Sequence, residues 1–229
     1  MTRLVVVTGG TKGIGAAIAQ RFTDAGDEVV ALGHGDLDVT NEDAVADVLG
    51  PLAVDVLVNN AGVSSSAPVH RIALLDWQRQ LEVNATGAFL CTRAVLGGMR
   101  ERDRGRIVTV ASTAAHTGQR YTAAYTASKH AAVGLMRTVA AEVAGSGVTA
   151  NAVCPSFVRT DMTARTVRNV ASRTGQSEAD SEAALARLSP LGRLLEPEEV
   201  AFAVAFLAAQ EAGAINGQTI VLDGGGVQA

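Results

Sequence analysis

The sequence predicts an α/β fold: one domain built on a doubly wound parallel sheet with helices on both faces. Three observations lead there. Short apolar, β-branched runs alternate with stretches of helical periodicity along nearly all of the 229 residues. A glycine-rich turn follows the first run directly and opens a helix, and the carboxyl end of the first strand is where such sheets bind nucleotides. Polar residues close later runs, at Asn59-Asn60 and Ser112, where parallel sheets keep their ligand crevice.

Taken in order, Leu4 to Val7 reads as a strand buried on both faces, stopping at Thr8-Gly9-Gly10-Thr11-Lys12-Gly13-Ile14-Gly15. Apolar residues then recur at helical spacing through Ile14, Ile18, Ala19 and Phe22. Glycines let that turn approach a ligand closely, and the first amides of the helix suit a pyrophosphate. Glu28 to Leu32 is a second strand. Asp36 to Val39 reads as the end of another, with only Gly33, His34 and Gly35 between, so the usual crossover helix is missing. Glu42 to Leu49 is helical, capped by Thr40 or Asn41. Val54 to Val58 is a strand ending on Asn59-Asn60-Ala61-Gly62. Asp76 to about Met99 is a long helix interrupted at Asn84 to Gly87, where Asn, Thr and Gly oppose helical propensity. Ile107 to Val110 and Val148 to Val153 are strands on either side of a helix from Tyr121 to Ala144. Residues 159 to 190 are polar and weakly helical, and 157–195 reads as a mobile substrate lid. Pro197-Glu198-Glu199 opens a helix to about Gln210, and Thr219 to Leu222 is the last strand.

Composition narrows the function. Hydrophobic residues are 48% and charged residues 18%, with no run near the ~18 apolar residues of a membrane span. A soluble, cytoplasmic protein is expected. A net charge of -4 without a basic run gives no reason to expect nucleic acid or an anionic membrane as partner. Cys91 and Cys154 lack metal-ligand spacing, so they read as buried small hydrophobes and no metal is expected. Small-molecule chemistry is the default.

Tyr125 and Lys129 can act as a pair, although an amphipathic helix with a half-buried Tyr and a snorkelling Lys gives the same pattern. Four residues apart on a helix, they leave one face a turn apart. An ammonium about 4 Å from a phenol favours the phenolate by roughly 4 kcal/mol at an effective dielectric of ~20, about three pKa units. Burial opposes this, so the attraction wins only where Lys129 stays close and charged.

These motifs together resemble one family, the short-chain dehydrogenases/reductases, from Leu4 to Gly225. The cofactor loop of that family is similar to Thr8-Gly9-x-x-x-Gly13-x-Gly15, which contains Thr11, Lys12 and Ile14; its sheet-end motif is similar to Asn59-Asn60-Ala61-Gly62. Asn84 matches its helix-kink asparagine, Ser112 its serine thirteen residues before the tyrosine, and Tyr125-x-x-x-Lys129 its catalytic pair. The resemblance implies a Rossmann-like fold and hydride transfer between a nicotinamide and a ketone or secondary alcohol. It implies Tyr125 as general acid/base and Ser112 on the substrate oxygen. Lys129 would hold the cofactor ribose and lower the acidity constant of Tyr125, and Asn84 would hold a relay water. Asp38-Val39 would meet the adenine, and Pro155 to Thr160, with Val158, the nicotinamide side. Ser156 departs from the glycine usual after that proline. A homotetramer is implied too, and the small-residue faces at Phe89–Gly98 and Ala131–Ala141 suit close packing. Epimerase or lyase chemistry, and a regulator that binds the nucleotide without turnover, are the other readings of the same scaffold.

NADP(H) is favoured over NAD(H). An NAD site usually ends the second strand with a carboxylate for the 2'-hydroxyl, and that position falls on Gly33. His34 and Lys12 would both favour a 2'-phosphate. Asp36, three residues on, is the acid able to take the carboxylate's role.

Overall fold

The apolar runs pair into one six-stranded sheet. In the computed structural model, which describes residues 2–228, the strands are β1 Leu4–Thr8, β2 Glu28–Leu32, β3 Val56–Asn59, β4 Gly105–Val110, β5 Val148–Pro155 and β6 Thr219–Leu222. Met1 and Ala229, the ends of the expected domain, lie outside the described residues. The order is β2-β1-β3-β4-β5-β6 and every pairing is parallel. The helices are α1 Gly13–Asp24, α2 Glu42–Leu49, α3 Leu74–Leu81, α4 Gly87–Glu101, α5 Ala123–Glu142, α6 Asp161–Thr174, α7 Glu178–Ala186 and α8 Pro197–Leu207.

Alternation along each strand sends side chains to two cores. Val5, Val7, Val56 and Val58 meet Ile18 and Phe22 of α1 and Val200, Val204 and Leu207 of α8. On the opposite face Val6, Leu57 and Ile107 meet Val45 and Leu49 of α2, Leu90, Val95 and Met99 of α4, and Val133 and Met136 of α5. This is the doubly wound arrangement expected. Cys91 and Cys154 are free, buried thiols.

The run Asp36–Val39 is not a strand, and β2 is the edge of the sheet. The amides of Asp36 and Leu37 both donate to the Gly33 carbonyl, at 3.1 and 3.0 Å, and fold the segment into a turn. Leu37 and Val39 are nevertheless buried in the α2/α4 core. They keep a strand-like alternation because they plug the end of that core, with no neighbour to pair with. Asn41 rather than Thr40 caps α2, accepting from Ala44 N at 3.0 Å.

The predicted long helix is two, α3 and α4, joined by a π-helical segment at Glu82–Thr86 that widens the backbone around Asn84. The lid is more regular than its composition suggests. Thr160 caps α6 and Ser177 caps α7, each with acids in the first turn, so local capping supports helices that bury little. Its ends meet: Arg159 N donates to Leu195 O and Leu195 N to Phe157 O, forming a bridge between Val158 and Leu195.

Candidate active site

The carboxyl ends of β1, β3, β4 and β5 converge on one crevice. Thr8 ties the first two together: its hydroxyl donates to Val58 O and accepts from the amides of Asn60 and Ala61, both at 3.1 Å. Asn60 completes the link by donating to Thr8 O and Gly9 O at 2.9 and 3.0 Å. Asn60 therefore bonds another strand's backbone, as a ligand crevice between strands requires. The glycine loop is folded hard against this junction. A Cβ on Gly15 would overlap Gly9 O, and one on Gly9, whose φ is 62°, would stand 3.0 Å from Ala61 Cα and Asn60 Nδ2.

Whether a dinucleotide suits these residues can be read from α1. Lys12 at its N-cap makes no side-chain cap, and its first turn holds no acid, whereas α2, α6 and α7 have both a cap and an acid. The first amides of α1, with Ile14 among them, are left for an anion. Thr160 lies across from Gly13, its Cγ2 3.3 Å from where a Cβ would be. At Gly62 a Cβ would come 3.2 Å from Asn84 Oδ1 and 3.7 Å from Lys129 Nζ, so bare backbone faces Lys129. The residues fit an extended, anionic dinucleotide.

Asn84 spans this floor, accepting from Val63 N at 2.8 Å and donating to Val63 O and Ser128 Oγ, both at 2.9 Å. Lys129 donates to Val110 O at 2.9 Å, and its ammonium lies 5.7 Å from the centroid of the Tyr125 ring. Ser112, just past β4, accepts from Ala114 N at 3.2 Å and acts on the Tyr125 phenol. Asn84, Ser112, Tyr125 and Lys129 are thus brought together. Pro155 ends β5 beside them, and Val158 is buried beyond it.

Residues 32–226 match the family described as enoyl-(acyl carrier protein) reductase. The chain is 37% identical over 249 residues to the acetoacetyl-CoA reductase of Shinella zoogloeoides, covering 98% of each. It is 36% identical to the 3-oxoacyl-(acyl-carrier-protein) reductase of Vibrio cholerae, over 97% of this chain and 96% of that one. This chain belongs to the short-chain dehydrogenase/reductase family. It is an NAD(P)-dependent oxidoreductase acting on carbonyl and hydroxyl groups. Among solved structures of the family, an actinorhodin polyketide ketoreductase with NADPH superposes with a TM-score of 0.89 at 32% identity, covering 98% of this chain and 97% of that one. The aldohexose dehydrogenase of Thermoplasma acidophilum gives 0.88 at 31% identity, with 98% and 93% covered.

Within this short-chain dehydrogenase/reductase, the electrostatics of the pair differ from the expectation. Burial raises the Tyr125 phenol, the Ser112 hydrogen bond pulls it partly back, and Cys154 adds to the rise. Burial also lowers Lys129, to about 8. Desolvation therefore outweighs the attraction that was expected to favour the phenolate. Cys154 lies beneath both groups, its own thiol pushed up to about 11 by burial.

The adenosine end differs as well. Asp36 Oδ2 accepts from Gly33 N at 2.8 Å, which sets a carboxylate at the end of β2, the alternative the sequence left open for Asp36. Thr11 adjoins it, its Oγ1 2.7 Å from where a Gly33 Cβ would stand. His34 and Asp38 are exposed in the same turn. The Asp38 carboxylate accepts from Thr40 N and Oγ1, which together with His34 holds it below its usual range. Val39 packs on Gly87. Sequence reasoning gave no part to Thr92, Thr109 or Ser128, which are buried with Asn84 and Lys129. Thr92 and Ser128 meet Asn59 and Asn84 across tens of residues of chain, a pairing that no local spacing reveals.

Proposed function

We propose that the protein reduces a ketone to a secondary alcohol, with Tyr125 as the general acid and Ser112 holding the substrate oxygen. A bound nicotinamide supplies the hydride. The raised phenol of Tyr125, close to Ser112, is the observation that carries the reading: it is neutral at pH 7 and suited to giving a proton to a carbonyl oxygen that is becoming an alkoxide. Ser112 orients that oxygen, Lys129 holds the ribose and keeps a positive charge behind the phenol, and Asn84 fixes the floor on which Ser128 and the α5 helix sit. Gly9, Gly13, Gly15, Ala61, Gly62, Val158 and Thr160 form the walls of the cofactor crevice.

Net cofactor oxidation on a panel of ketones tests this, with 3-oxoacyl thioesters first because two relatives are named for them. Turnover of at least one ketone is expected. Cofactor binding without net oxidation on any of them would favour the epimerase or regulator reading instead.

NADP(H) is the proposed cofactor, supported by Lys12 at the N-cap of α1 and by relatives whose structures hold NADP or NADPH. The Asp36 carboxylate on Gly33 favours NAD(H). Titrating both cofactors separates the two: the proposal requires tighter NADP(H) binding that weakens in Lys12→Ala and strengthens in Asp36→Ala. A cytoplasmic homotetramer completes the proposal. Phe89 is exposed on α4, and nothing stands within 4 Å of a Cβ on Gly97 of α4 or Gly134 of α5, so both faces are open to a second copy. Sedimentation should give a species well above 23.4 kDa.

A further inference from the structure

Two loops leave the crevice and meet at Tyr121. The first follows Gly62 and is pinned to the helix beside it: Asn84 bonds both backbone groups of Val63, while Gln80 accepts from Ser65 N at 3.2 Å and donates to Ser65 Oγ at 3.0 Å. The second runs from Ser112 to α5 and is pinned at Thr113, whose hydroxyl accepts from Gln119 Nε2 at 3.3 Å. Ala67 N donates to Tyr121 O at 2.8 Å and joins the two.

The backbone at that junction is strained. Tyr121 has a φ of 69°, in the left-handed region. It is the third residue of a turn in which Gln119 O accepts from Thr122 N at 3.4 Å and from Thr122 Oγ1 at 3.0 Å, and a positive φ at that position suits glycine. Among the described residues one other non-glycine has a positive φ, Asp103 at 47°. Asp103 has a local reason, since a short polar side chain tolerates that backbone and its carboxylate accepts from Gly147 N at 2.7 Å. Tyr121 has no such reason. Its ring is 52% exposed, with the Arg120 guanidinium carbon 5.5 Å from the ring centroid. Strain that packing does not repay, in a segment fixed from both sides, is the kind found where a ligand is clamped. Beyond Ala67 the first loop leads to Val69, Leu74 and Leu75, three large apolar side chains each more than two-thirds exposed.

We propose that Tyr121 is a specificity-determining residue, its ring walling the outer end of the substrate pocket and stacking on a ketone that carries a flat apolar group. The proposal rests on the ketone-reducing reading above. Tyr125, which serves the carbonyl in that reading, follows Tyr121 by four residues. A substrate spanning the two has its carbonyl inside and its apolar body at the mouth. Arg120 steadies the ring, so less freedom is lost when the substrate stacks on it.

Tyr121 and Tyr125 are the chain's two tyrosines, so ring-labelled tyrosine gives NMR signals from two residues, which Tyr121→Phe assigns. Acetophenone added to the wild type saturated with its oxidised cofactor, which cannot reduce a ketone, should shift the Tyr121 signals saturably. A response of Tyr125 alone, or of neither, overturns the proposal. In turnover, Tyr121→Gly and Tyr121→Ala should lower kcat/KM for acetophenone about five- to tenfold relative to butanone, while Tyr121→Phe keeps the wild-type ratio. Equal losses on both ketones would mean a structural role and overturn the proposal. Thermal melts read the strain. Tyr121→Gly should melt above Tyr121→Ala, the reverse of the usual order, because glycine alone adopts this φ freely. An alanine variant that melts higher overturns the strain argument and the proposal with it. Turnover of no ketone at all is the separate failure of the enzymatic reading, and the NMR titration of the wild type still decides the place of Tyr121.

Discussion

The floor of the site and the lid beside it are held by different forces. On the floor, Asn84, Ser128 and Lys129 are at most 5% exposed, and each bonds a backbone carbonyl or a neighbouring buried side chain. In the lid, Arg159 reaches Glu182 and Glu196 at 3.0 and 3.1 Å with side chains roughly half exposed. Buried hydrogen bonds have few alternatives, and leaving one unmade is costly. Exposed ion pairs are weak and screened by salt. The fixed floor and the more adjustable segment beside it are therefore built from opposite ends of the energy scale.

The largest expected effect tests the floor. Tyr125→Phe should lose ~100-fold or more in turnover while binding cofactor nearly as wild type, because only the proton donor goes. A variant keeping more than about a tenth of the rate would refute the assignment. Ser112→Ala should cost about ten- to a hundredfold in turnover, read from kcat as well as KM.

Next comes the energetic cost of that floor. The Lys129 proton is held less tightly in the folded chain, at about 8 against 10.5 for an ordinary lysine. The unfolded chain thus binds more protons across that window, and this lysine's contribution to stability rises as pH goes from about 8 to 10.5. Lys129→Met should accordingly stabilise the protein at pH 7, by up to roughly 3 kcal/mol less the lost bond to Val110, and lose that advantage by pH 10.5. Thermal melts at both values check it; a gap that widens with pH would refute it. The smallest effect belongs to the lid. Arg159→Ala should raise KM no more than a few-fold and leave kcat nearly unchanged, and that difference should fade in ~1 M salt. An effect as large as that of Ser112→Ala would erase the contrast between the two regions.

The sheet was legible because Leu4–Val7, Val54–Val58 and Ile107–Val110 are buried on both faces and carry almost nothing but apolar residues. The helix break was legible because Asn84-Ala85-Thr86-Gly87 opposes helix. At Asp36–Val39 the same alternation misled, since plugging a core and pairing in a ladder leave the same apolar pattern. The lid helices were only half visible: Thr160 with Asp161 and Ser177 with Asp180 are cap signals, but few apolar residues stand behind them. The state of Tyr125 was legible only as a balance between burial and the charge of Lys129, without its outcome. Spacing puts an ammonium near a phenol, but only the packed structure shows how completely both have left water.

Because Phe157, Arg159 and Leu195 bond one another, the lid leaves the sheet and returns to it at nearly one point. Such a segment is an exchangeable cassette. Lengthening a loop whose ends already meet adds only a slowly growing entropy cost, and no strand has to shift register to accept it. Replacing residues 161–194 with the corresponding segment of a relative should therefore leave cofactor affinity unchanged and transfer that relative's substrate preference.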